Sequence, residues 1–263
     1  MKVRRRQNKI VDIVRTKESA TVEELASQLD ISRETIRRDL SDLAGTGKIH
    51  KVHGGATIPR DFGENTFQQR MLDHAEAKMR IAQKAISLFG AGEALFVDTG
   101  STTLYFAEKL SEISGLTIIT NSAEIARTVS SSPERGRSES DVDQRTYLLG
   151  GEYKLGNRQT VGTMVASQIR LFRAHHAVLT IGALDGQTGA MDFNMEEAQV
   201  ARAMIEQSQS LTVLMDATKF NKLGSFEVCP LAKIDRLVVD REPPDALAES
   251  LEAAGVKVIL AQC

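Results

Sequence analysis

The residues of this chain that could do chemistry gather where short apolar runs end. Asp98-Thr-Gly-Ser-Thr-Thr103 follows the apolar run at 94–97 and leads into a helical pattern. Gly100 allows a tight turn, and the first N–H groups of a helix attract anions. Three successive residues add hydroxyl donors: Ser101, Thr102 and Thr103. The segment therefore fits a phosphate cradle, although an ordinary N-cap turn has a similar composition.

Comparable groups follow other apolar runs. Asn121 and Ser122 come after a run at 116–119, Gly150 comes after 146–149, and Lys219 closes Met215-Asp-Ala-Thr-Lys219. Because the carboxyl ends of parallel strands meet at one edge of a sheet, these groups predict a ligand crevice. Its expected binding residues are Asp98, Gly100, Ser101, Thr102, Thr103, Asn121, Ser122, Gly150, Asp185 and Lys219.

A second set of reactive side chains lies on a predicted helix at 33–44. Ile36, Leu40 and Leu43 recur at helical spacing, so the opposite face is basic and polar. Arginine can donate paired hydrogen bonds to guanine in the major groove of DNA. The expected DNA-binding residues are Ser32, Arg33, Thr35, Arg37, Arg38, Lys51, His53 and Gly54. The alternative is a three-helix packing module whose basic face is merely solvated.

The flanking elements fit a winged helix-turn-helix. A first helix is predicted at 5–17, and Thr21-Val-Glu-Glu24 has the composition of a capping box that starts a second helix. Ser32 is an N-cap candidate for the third helix, and the alternating stretch 48–57 fits a hairpin wing. Charge agrees with this division. Residues 1–60 carry 13 Lys+Arg against 8 Asp+Glu, whereas the remainder carries 20 against 27.

The rest of the chain alternates between strand and helix patterns from residue 76 onward, which predicts an α/β fold with a mostly parallel sheet. Three segments are expected: a DNA-binding domain at 1–57, a linker at 58–75 and an effector-sensing domain at 76–263. The stretch 130–144 has almost no apolar residues and reads as a long surface loop.

The amino-acid sequences of several segments resemble those of the DeoR family of sugar-metabolism regulators. In the first 60 residues these are Val22-Glu-Glu-Leu-Ala26, Ile31-Ser-Arg-Glu-Thr-Ile-Arg-Arg-Asp-Leu40 and Val52-His-Gly-Gly-Ala56. Further along they are Asp98-Thr-Gly-Ser-Thr-Thr103, Ile119-Thr-Asn-Ser122, Leu149-Gly-Gly151, Val161-Gly162 and Asp216-Ala-Thr-Lys219. The resemblance covers nearly the whole chain, from about residue 6 to residue 260.

The resemblance implies a Rossmann-like effector domain similar to ribose-5-phosphate isomerase and coenzyme A transferases. It assigns the phosphate loop to Gly100–Thr103 and a sugar-facing lysine to Lys219. It also implies a transcription repressor of a sugar or carbohydrate catabolic operon, released from operator DNA by a phosphorylated sugar or a related metabolite. Paired heads on operator half-sites require a homo-oligomer, at least a dimer; a dimer or a tetramer is expected.

An enzyme remains the alternative: a sugar-phosphate isomerase-like domain fused to a DNA-binding head. Its carboxylate base would be one of four acids: Asp185, Asp192, Glu196 or Glu197. The isomerase family has an Asp-Gly-Ala-Asp type segment near Asp185, whereas this chain reads Thr180-Ile-Gly-Ala-Leu-Asp-Gly186, so the first acid is missing. That departure favours a domain that binds sugar phosphates and does not turn them over.

Metal and redox chemistry are not favoured. Adjacent side chains on a strand point to opposite faces, so His175 and His176 are poorly placed to share a metal. The two cysteines, Cys229 and Cys263, cannot form a disulfide framework. No cofactor is expected. Charged residues interrupt the N-terminal apolar stretch and no run is long enough to span a bilayer, so the expected location is cytoplasmic, without a membrane partner.

Overall fold

The structure, a computed structural model, describes residues 3–17, 19–45, 49–52, 54–57, 65–131 and 144–262. The chain divides into two compact units, Met1–Gly63 and Glu64–Cys263. Each unit has its own apolar core. No described helix combines the length and the apolar character needed to cross a membrane.

The first unit contains three helices and a small antiparallel sheet among its described residues. The elements are α1 (Val3–Lys17), β1 (Ser19–Thr21), α2 (Val22–Leu29), α3 (Arg33–Gly45), β2 (His50–Val52) and β3 (Gly55–Thr57). The strand order is β1-β3-β2, so the predicted wing hairpin gains a third strand from the segment before α2.

The predicted capping box of α2 is confirmed. The Thr21 hydroxyl accepts from the Glu24 N–H at 3.1 Å, and the Glu24 carboxylate accepts from the Thr21 N–H at 2.8 Å. The apolar face predicted for α3 is also confirmed, because its three periodic residues are buried against the other helices: Ile36, Leu40 and Leu43. The same periodicity leaves the opposite face of α3 in solvent.

The second unit is a mixed α/β domain. Its helices are α4 (Phe67–Leu72), α5 (Ala75–Ile86), α6 (Ser101–Leu110), α7 (Ala123–Ser130), α8 (Thr163–Ile169), α9 (Met195–Glu206) and α10 (Asp245–Ala253). Its strands are β4 (Ala94–Val97), β5 (Thr117–Thr120), β6 (Arg145–Leu148), β7 (Glu152–Lys154), β8 (Gln159–Val161), β9 (Ala174–Leu179), β10 (Ala183–Asp185), β11 (Gly189–Asp192), β12 (Ser208–Leu214), β13 (Phe226–Cys229), β14 (Arg236–Val239) and β15 (Lys257–Leu260).

Seven of the described strands form one parallel sheet in the order β15-β14-β12-β9-β4-β5-β6. The chain starts at β4, builds outward through β5 and β6, and then returns to the other side of β4 with β9. The strand order therefore reverses between β4 and β9. At such a switch point the loops after the two strands diverge and leave a crevice.

Apolar side chains on the two faces of the sheet form two buried layers. On β4, Leu95 and Val97 belong to the layer beneath α5, α6 and α7, whereas Phe96 belongs to the layer beneath α8, α9 and α10. This alternation follows from the two-residue period of a strand. The central strands β4, β9, β12 and β14 bury residues on both faces, and so the sequence shows them as continuous apolar runs.

The segment predicted as a linker at 58–75 differs from the structure in its second part. Residues 67–72 form α4, and α5 begins at Ala75. Thr66 caps α4, because its hydroxyl accepts from the Gln69 N–H at 3.3 Å, and Phe67 is buried. One buried residue in a six-residue helix gives no periodic signal, which explains the difference. Residues 58–64 lie outside the described part of the chain.

The long loop predicted at 130–144 overlaps the end of α7 and falls mostly on residues 132–143, which the structure does not describe. The sequence also did not predict two small antiparallel sheets, β7-β8 and β10-β11-β13. Their strands contain three or four residues each, too few to show alternation.

Candidate functional site

A cleft opens at the carboxyl ends of β4 and β9, where the strand order reverses. It has about 360 Å³ of empty space, part of which is open to solvent. Eleven residues line it: Arg70, Asp98, Thr99, Asn121, Gln159, Thr180, Ile181, Asp192, Glu197, Val200 and Ala201. Most of them are polar, which suits a hydrophilic ligand.

Asp98 joins the two central strands at the floor of the cleft. Both of its carboxylate oxygens accept from the Thr180 N–H, at 3.1 and 3.0 Å. Burial raises the pKa of Asp98 well above its ordinary value, and the carboxylates of Asp192 and Glu197 push it in the same direction. Asp98 thus spans the switch point and presents a carboxyl group whose ionised form is costly.

Asp98 and Thr99, which line the cleft, are followed directly by the turn that begins α6. A β-carbon on Gly100 would stand 2.1 Å from Cγ2 of Thr180, so only glycine fits there. The Gly100 carbonyl accepts from the Leu104 N–H at 3.0 Å and from the Thr103 hydroxyl at 3.2 Å. The first N–H groups of the helix have no partner within it. The three hydroxyl residues are all buried: Ser101, Thr102 and Thr103.

A chain of buried amides runs along one wall. The Thr99 hydroxyl donates to Oδ1 of Asn121 at 3.3 Å, and Nδ2 of Asn121 donates to Oε1 of Gln159 at 3.2 Å. Gln159 donates in turn to Oε1 of Glu197 at 2.5 Å, and Asn157 donates to the same oxygen at 2.6 Å. These bonds fix the amide orientations and direct the network towards α9.

Arg70 enters the cleft from α4. Its Nη2 donates to Oδ1 of Asn157 at 3.2 Å, and its guanidinium carbon lies 5.8 Å from the ring centre of Phe67. Burial lowers the pKa of Arg70, while the nearby carboxylates act against that shift: Glu197, Asp192 and Asp98. The cation is therefore set among acids at the centre of the site.

Lys219 and Lys78 bring two further cations close to the cleft. The Lys219 ammonium donates to the carbonyl of Ile181, a lining residue, and burial lowers the pKa of this lysine to about 8. The Lys78 ammonium donates to the carbonyls of Arg70 and Asp73, the latter at 2.8 Å. Burial likewise lowers the pKa of Lys78 to about 8, and the charge of Asp216 opposes the shift in both lysines.

Two of the four acids considered for catalysis line the cleft. Burial, reinforced by the charge of Glu197, raises the pKa of Asp192 to about 6. The Asp192 carboxylate accepts from the N–H groups of Phe193 at 2.6 Å and Asn194 at 3.1 Å, so it also shapes the turn before α9. Glu196 lies 3.7 Å from Lys154 and, like Asp185, is not among the described lining residues.

The structure brings together part of the ligand site predicted from the sequence. Asp98 and Asn121 line the cleft, the turn Gly100–Thr103 adjoins it through Asp98, and Lys219 reaches it through Ile181. The sequence did not predict the roles of Arg70 and Gln159, and it named Glu197 only as a possible base of the enzyme alternative. A lone arginine in a segment without periodicity carries no signal, and the part that Gln159 plays is recognisable only through contacts with distant residues.

Three further predicted ligand-binding residues have structural partners and do not line the cleft, and their role in ligand binding stays a prediction. Ser122 caps α7, because its hydroxyl accepts from the Ile125 N–H at 3.3 Å. The N–H and carbonyl of Gly150 both bond to the side-chain amide of Gln168, at 3.0 and 3.1 Å. Asp185 closes the turn between β10 and β11 by accepting from the N–H groups of Gln187 and Thr188, both at 3.0 Å.

The predicted DNA-binding residues lie on the open face of α3 and on the sheet beside it. Arg33, Arg37 and Arg38 are exposed, and the first two pair loosely with Glu23 at 3.5 Å and Glu34 at 3.6 Å. Ser32 caps α3: its hydroxyl accepts from the Thr35 N–H at 3.3 Å and lies 2.8 Å from the Thr35 hydroxyl. These exposed ion pairs are weak enough to be exchanged for phosphate contacts.

On the wing, the Lys51 ammonium donates to the Ser41 hydroxyl on α3 at 3.0 Å. Gly54 adopts φ of 81°, a conformation that favours glycine, and its carbonyl accepts from the Val22 N–H at 2.9 Å. Gly54 therefore supports the wing turn. His53, which was also predicted to contact DNA, lies outside the described residues.

A buried ion pair that the sequence did not predict orients α3. Nε of Arg6 lies 2.5 Å from Oδ2 of Asp39, and Nη2 lies 3.0 Å from Oδ1, so a two-point contact joins α1 to α3. Only 3% of the Asp39 side chain and 12% of the Arg6 side chain are exposed. A fork of this kind holds two helices in one relative orientation.

The adjacent histidines make ordinary structural contacts. Nδ1 of His175 accepts from the Ala94 N–H at 2.9 Å, and Nδ1 of His176 lies 2.6 Å from the Ser210 hydroxyl. Within the described part of the chain, no group of three or more His, Cys, Asp or Glu side chains could hold a metal ion.

Comparisons with known proteins match both units. Residues 6–62 match a family model described as the DeoR-like helix-turn-helix domain, and residues 73–241 match the DeoR C terminal sensor domain. The chain is 30% identical over 251 residues to the glycerol-3-phosphate regulon repressor of Escherichia coli (strain K12), across 95% of this chain and 96% of that one. It is 32% identical over 258 residues to the L-fucose operon activator of Haemophilus influenzae, across 97% and 99%.

Among solved structures, ribose 5-phosphate isomerase A from Methanocaldococcus jannaschii aligns with 56% of this chain and 55% of its own, at 15% identity and a TM-score of 0.39. A likeness at this level carries no argument about activity. The sequence relatives are named as transcriptional regulators, which supports the expectation of a regulator and not an enzyme.

Proposed function

Because this chain belongs to the DeoR family of transcriptional regulators, we propose that it represses a carbohydrate catabolic operon and is released from operator DNA by a phosphorylated sugar. The relatives support a regulator of carbohydrate or glycerol phosphate genes. One of them is named a repressor and another an activator. We propose that this chain is a repressor and that binding of the effector relieves the repression.

The first unit supplies the DNA contact. The solvent-facing arginines of α3 can donate to guanine in the major groove, and the free N–H groups at the start of the helix can meet a phosphate. The Arg6–Asp39 pair and the apolar core of the unit hold α3 in position for this. A single short helix contacts one half-site, so tight binding needs two heads and hence an oligomer of at least two chains. Operator binding would place the chain in the cytoplasm.

The cleft of the second unit offers two kinds of contact, and this pairing is the observation that carries the proposal. The start of α6 and the nearby Lys219 ammonium favour an anion. The lining of the cleft also presents Asn121 and Gln159 together with the carboxylates of Asp192 and Glu197, which accept hydrogen bonds from hydroxyl groups. A phosphate next to these carboxylates would be repelled. The phosphate therefore belongs at the α6 end and the polyol chain along the acidic wall.

Thermal melting in the presence of sugar phosphates tests the effector assignment. The panel consists of glycerol 3-phosphate, ribose 5-phosphate, fructose 1-phosphate and fructose 6-phosphate, each compared with its unphosphorylated parent. A ligand that binds only the folded state raises the free energy of unfolding, by about 2.7 kcal/mol at a ligand concentration of 100 times Kd, and so raises the melting temperature. At least one phosphate ester should stabilise the protein and its parent should not.

The Lys219→Ala variant completes this test. It should lose the response to the active ester while binding operator DNA, selected from a random duplex library, as tightly as the unaltered protein. Equal stabilisation by esters and parents, or an unchanged response in Lys219→Ala, would show that the cleft is not a phosphate site of the proposed kind.

A further inference from the structure

Arg70 reaches the cleft from a part of the chain that neither family match includes. The first match ends at residue 62 and the second begins at residue 73, whereas α4 spans Phe67–Leu72. Along the chain, α4 is the first described element after β3 of the DNA-binding unit. The segment between the two matched regions therefore contributes a cation to the cleft and also leads directly to the head.

Polar contacts hold α4 more than apolar packing does. Within α4, all of which the structure describes, Phe67 is the one buried residue. The carbonyl end of the helix is held by the Lys78 ammonium, which bonds to the carbonyls of Arg70 and Asp73, and by the Tyr105 hydroxyl, which donates to the carbonyl of Met71 at 3.0 Å. A helix held in this way can shift without opening an apolar core.

These polar contacts converge on the charges of the cleft. The Arg70 guanidinium lies in the field of Asp98, Asp192 and Glu197, and the Lys78 ammonium lies in the field of Asp216 and Lys219. The side chain of Asn157 links Arg70 to Glu197, because it accepts a hydrogen bond from Arg70 and donates one to Glu197. A ligand whose oxygens bond to Glu197 or Asp192 would therefore change the forces on Arg70.

We propose that α4 is the effector-reading element of the sensor unit: Arg70 contacts the bound sugar phosphate, and occupancy of the cleft sets the position of α4. This inference rests on the proposed function, since it requires a sugar phosphate in the cleft. The ligand shifts α4 only if it binds the two arrangements of the helix with different affinities. The five N–H donors of Arg70, shared among carboxylates and ligand oxygens, supply that difference.

Hydrogen exchange of the full chain, followed by mass spectrometry, tests the proposal. The probes are the four sugar phosphates named above and inorganic phosphate. In the unaltered protein, an active probe should slow exchange at residues 98–104 and at residues 67–73 together. In Arg70→Gln it should slow exchange at 98–104 alone. Arg127→Gln is the matched control, because that arginine is exposed on α7 and pairs with Glu124, and it should behave like the unaltered protein.

DNA binding gives a second readout. If Arg70 had only a structural role, its substitution would not selectively remove the effect of the probe on operator affinity. In the unaltered protein the same probe should change operator affinity by at least about fivefold, the lower end of common allosteric couplings. In Arg70→Gln the change should fall below about twofold, while affinity without the probe stays the same. Arg70→Lys keeps the charge without the planar fork and should give an intermediate coupling even if Arg70→Gln folds poorly.

The outcomes separate this inference from the proposed function. Protection at 98–104 without protection at 67–73 in the unaltered protein would overturn the role of α4 and leave the phosphate site intact. Full coupling in both Arg70 variants would overturn it as well. If no probe protects either segment, the proposed function fails and this inference fails with it.

Discussion

Thr180 fills, with its Cγ2, the space beside Gly100 in which any other residue would place a β-carbon, and the two atoms would be 2.1 Å apart. The contact lies at the reversal of strand order, between the residues that follow β4 and those that follow β9. Asp98 binds the backbone of the same threonine. The turn before α6 is thus held against the next loop by sterics on one side and by hydrogen bonds on the other.

The Gly100→Ala variant should lose effector binding and about 1–3 kcal/mol of sensor-unit stability, because an added methyl group forces a closely packed contact to shift. Chemical denaturation measures the stability and probe-induced melting shifts measure the binding. Adding Thr180→Ser removes Cγ2 and should restore part of both. Gly90→Ala is the control, since a β-carbon there meets nothing within 4 Å. Equal losses in the two glycine variants would contradict the steric argument.

The Arg37→Ala variant should weaken operator binding by about 1–3 kcal/mol, the usual contribution of a paired contact to a base. Arg37 is exposed on α3 and its contact with Glu34 is weak, so the folding of the head should hardly change. Fluorescence anisotropy with labelled operator measures the affinity. Effector-induced melting shifts should stay as in the unaltered protein. Arg127→Ala serves as the control for loss of a positive charge elsewhere.

The Asp39→Ala variant should destabilise the head, because it leaves the largely covered guanidinium of Arg6 without its carboxylate partner. Breaking a buried pair by removing one partner costs about 3–5 kcal/mol. Differential scanning calorimetry should show the head transition lowered or lost while the sensor transition persists. DNA binding should disappear. Asp42→Ala, at an exposed position of the same helix, should leave the head transition in place; a head that melts normally in Asp39→Ala would disprove the role of the pair.

Anion binding should weaken between pH 7 and pH 9, because burial lowers the pKa of Lys219 to about 8 and the ammonium is then lost. The effect on stability has the opposite sign. The unfolded chain keeps the ordinary pKa of 10.5, so unfolding takes up a proton between about pH 8 and 10.5, and stability from this lysine rises with pH in that window.

The Lys219→Arg variant separates the two effects, because arginine stays charged throughout the range. Melting shifts with inorganic phosphate and ribose 5-phosphate should fall from pH 7 to pH 9 in the unaltered protein and stay nearly constant in the variant. A parallel fall in both proteins would assign the pH dependence to another group.

Local signals accounted for the parts of the fold that depend on neighbouring residues. The capping box at Thr21 and Glu24 and the apolar face of α3 are both set by residues within a few positions, and the structure has them as predicted. Fully buried strands such as β4 and β14 also stood out, because they are apolar on both faces.

Groups joined across the fold could not be predicted in this way. Gln159 and Glu197 meet over 38 positions, and Arg6 and Asp39 over 33. The same limit applies to Gly150 and Asp185, whose types suit a ligand site but also close ordinary turns. The structure gives them the partners Gln168 and Thr188, and their role in ligand binding stays a prediction.

The positions of the two units along the sequence have a consequence for folding of the nascent chain. The head depends on contacts within the first 63 residues, so it can fold while the ribosome is still translating the remainder. The cleft needs groups from Arg70 to Lys219, and its two central strands are bridged by Asp98 and Thr180, 82 positions apart. The head of each molecule can therefore be folded before the cleft that binds the metabolite is complete.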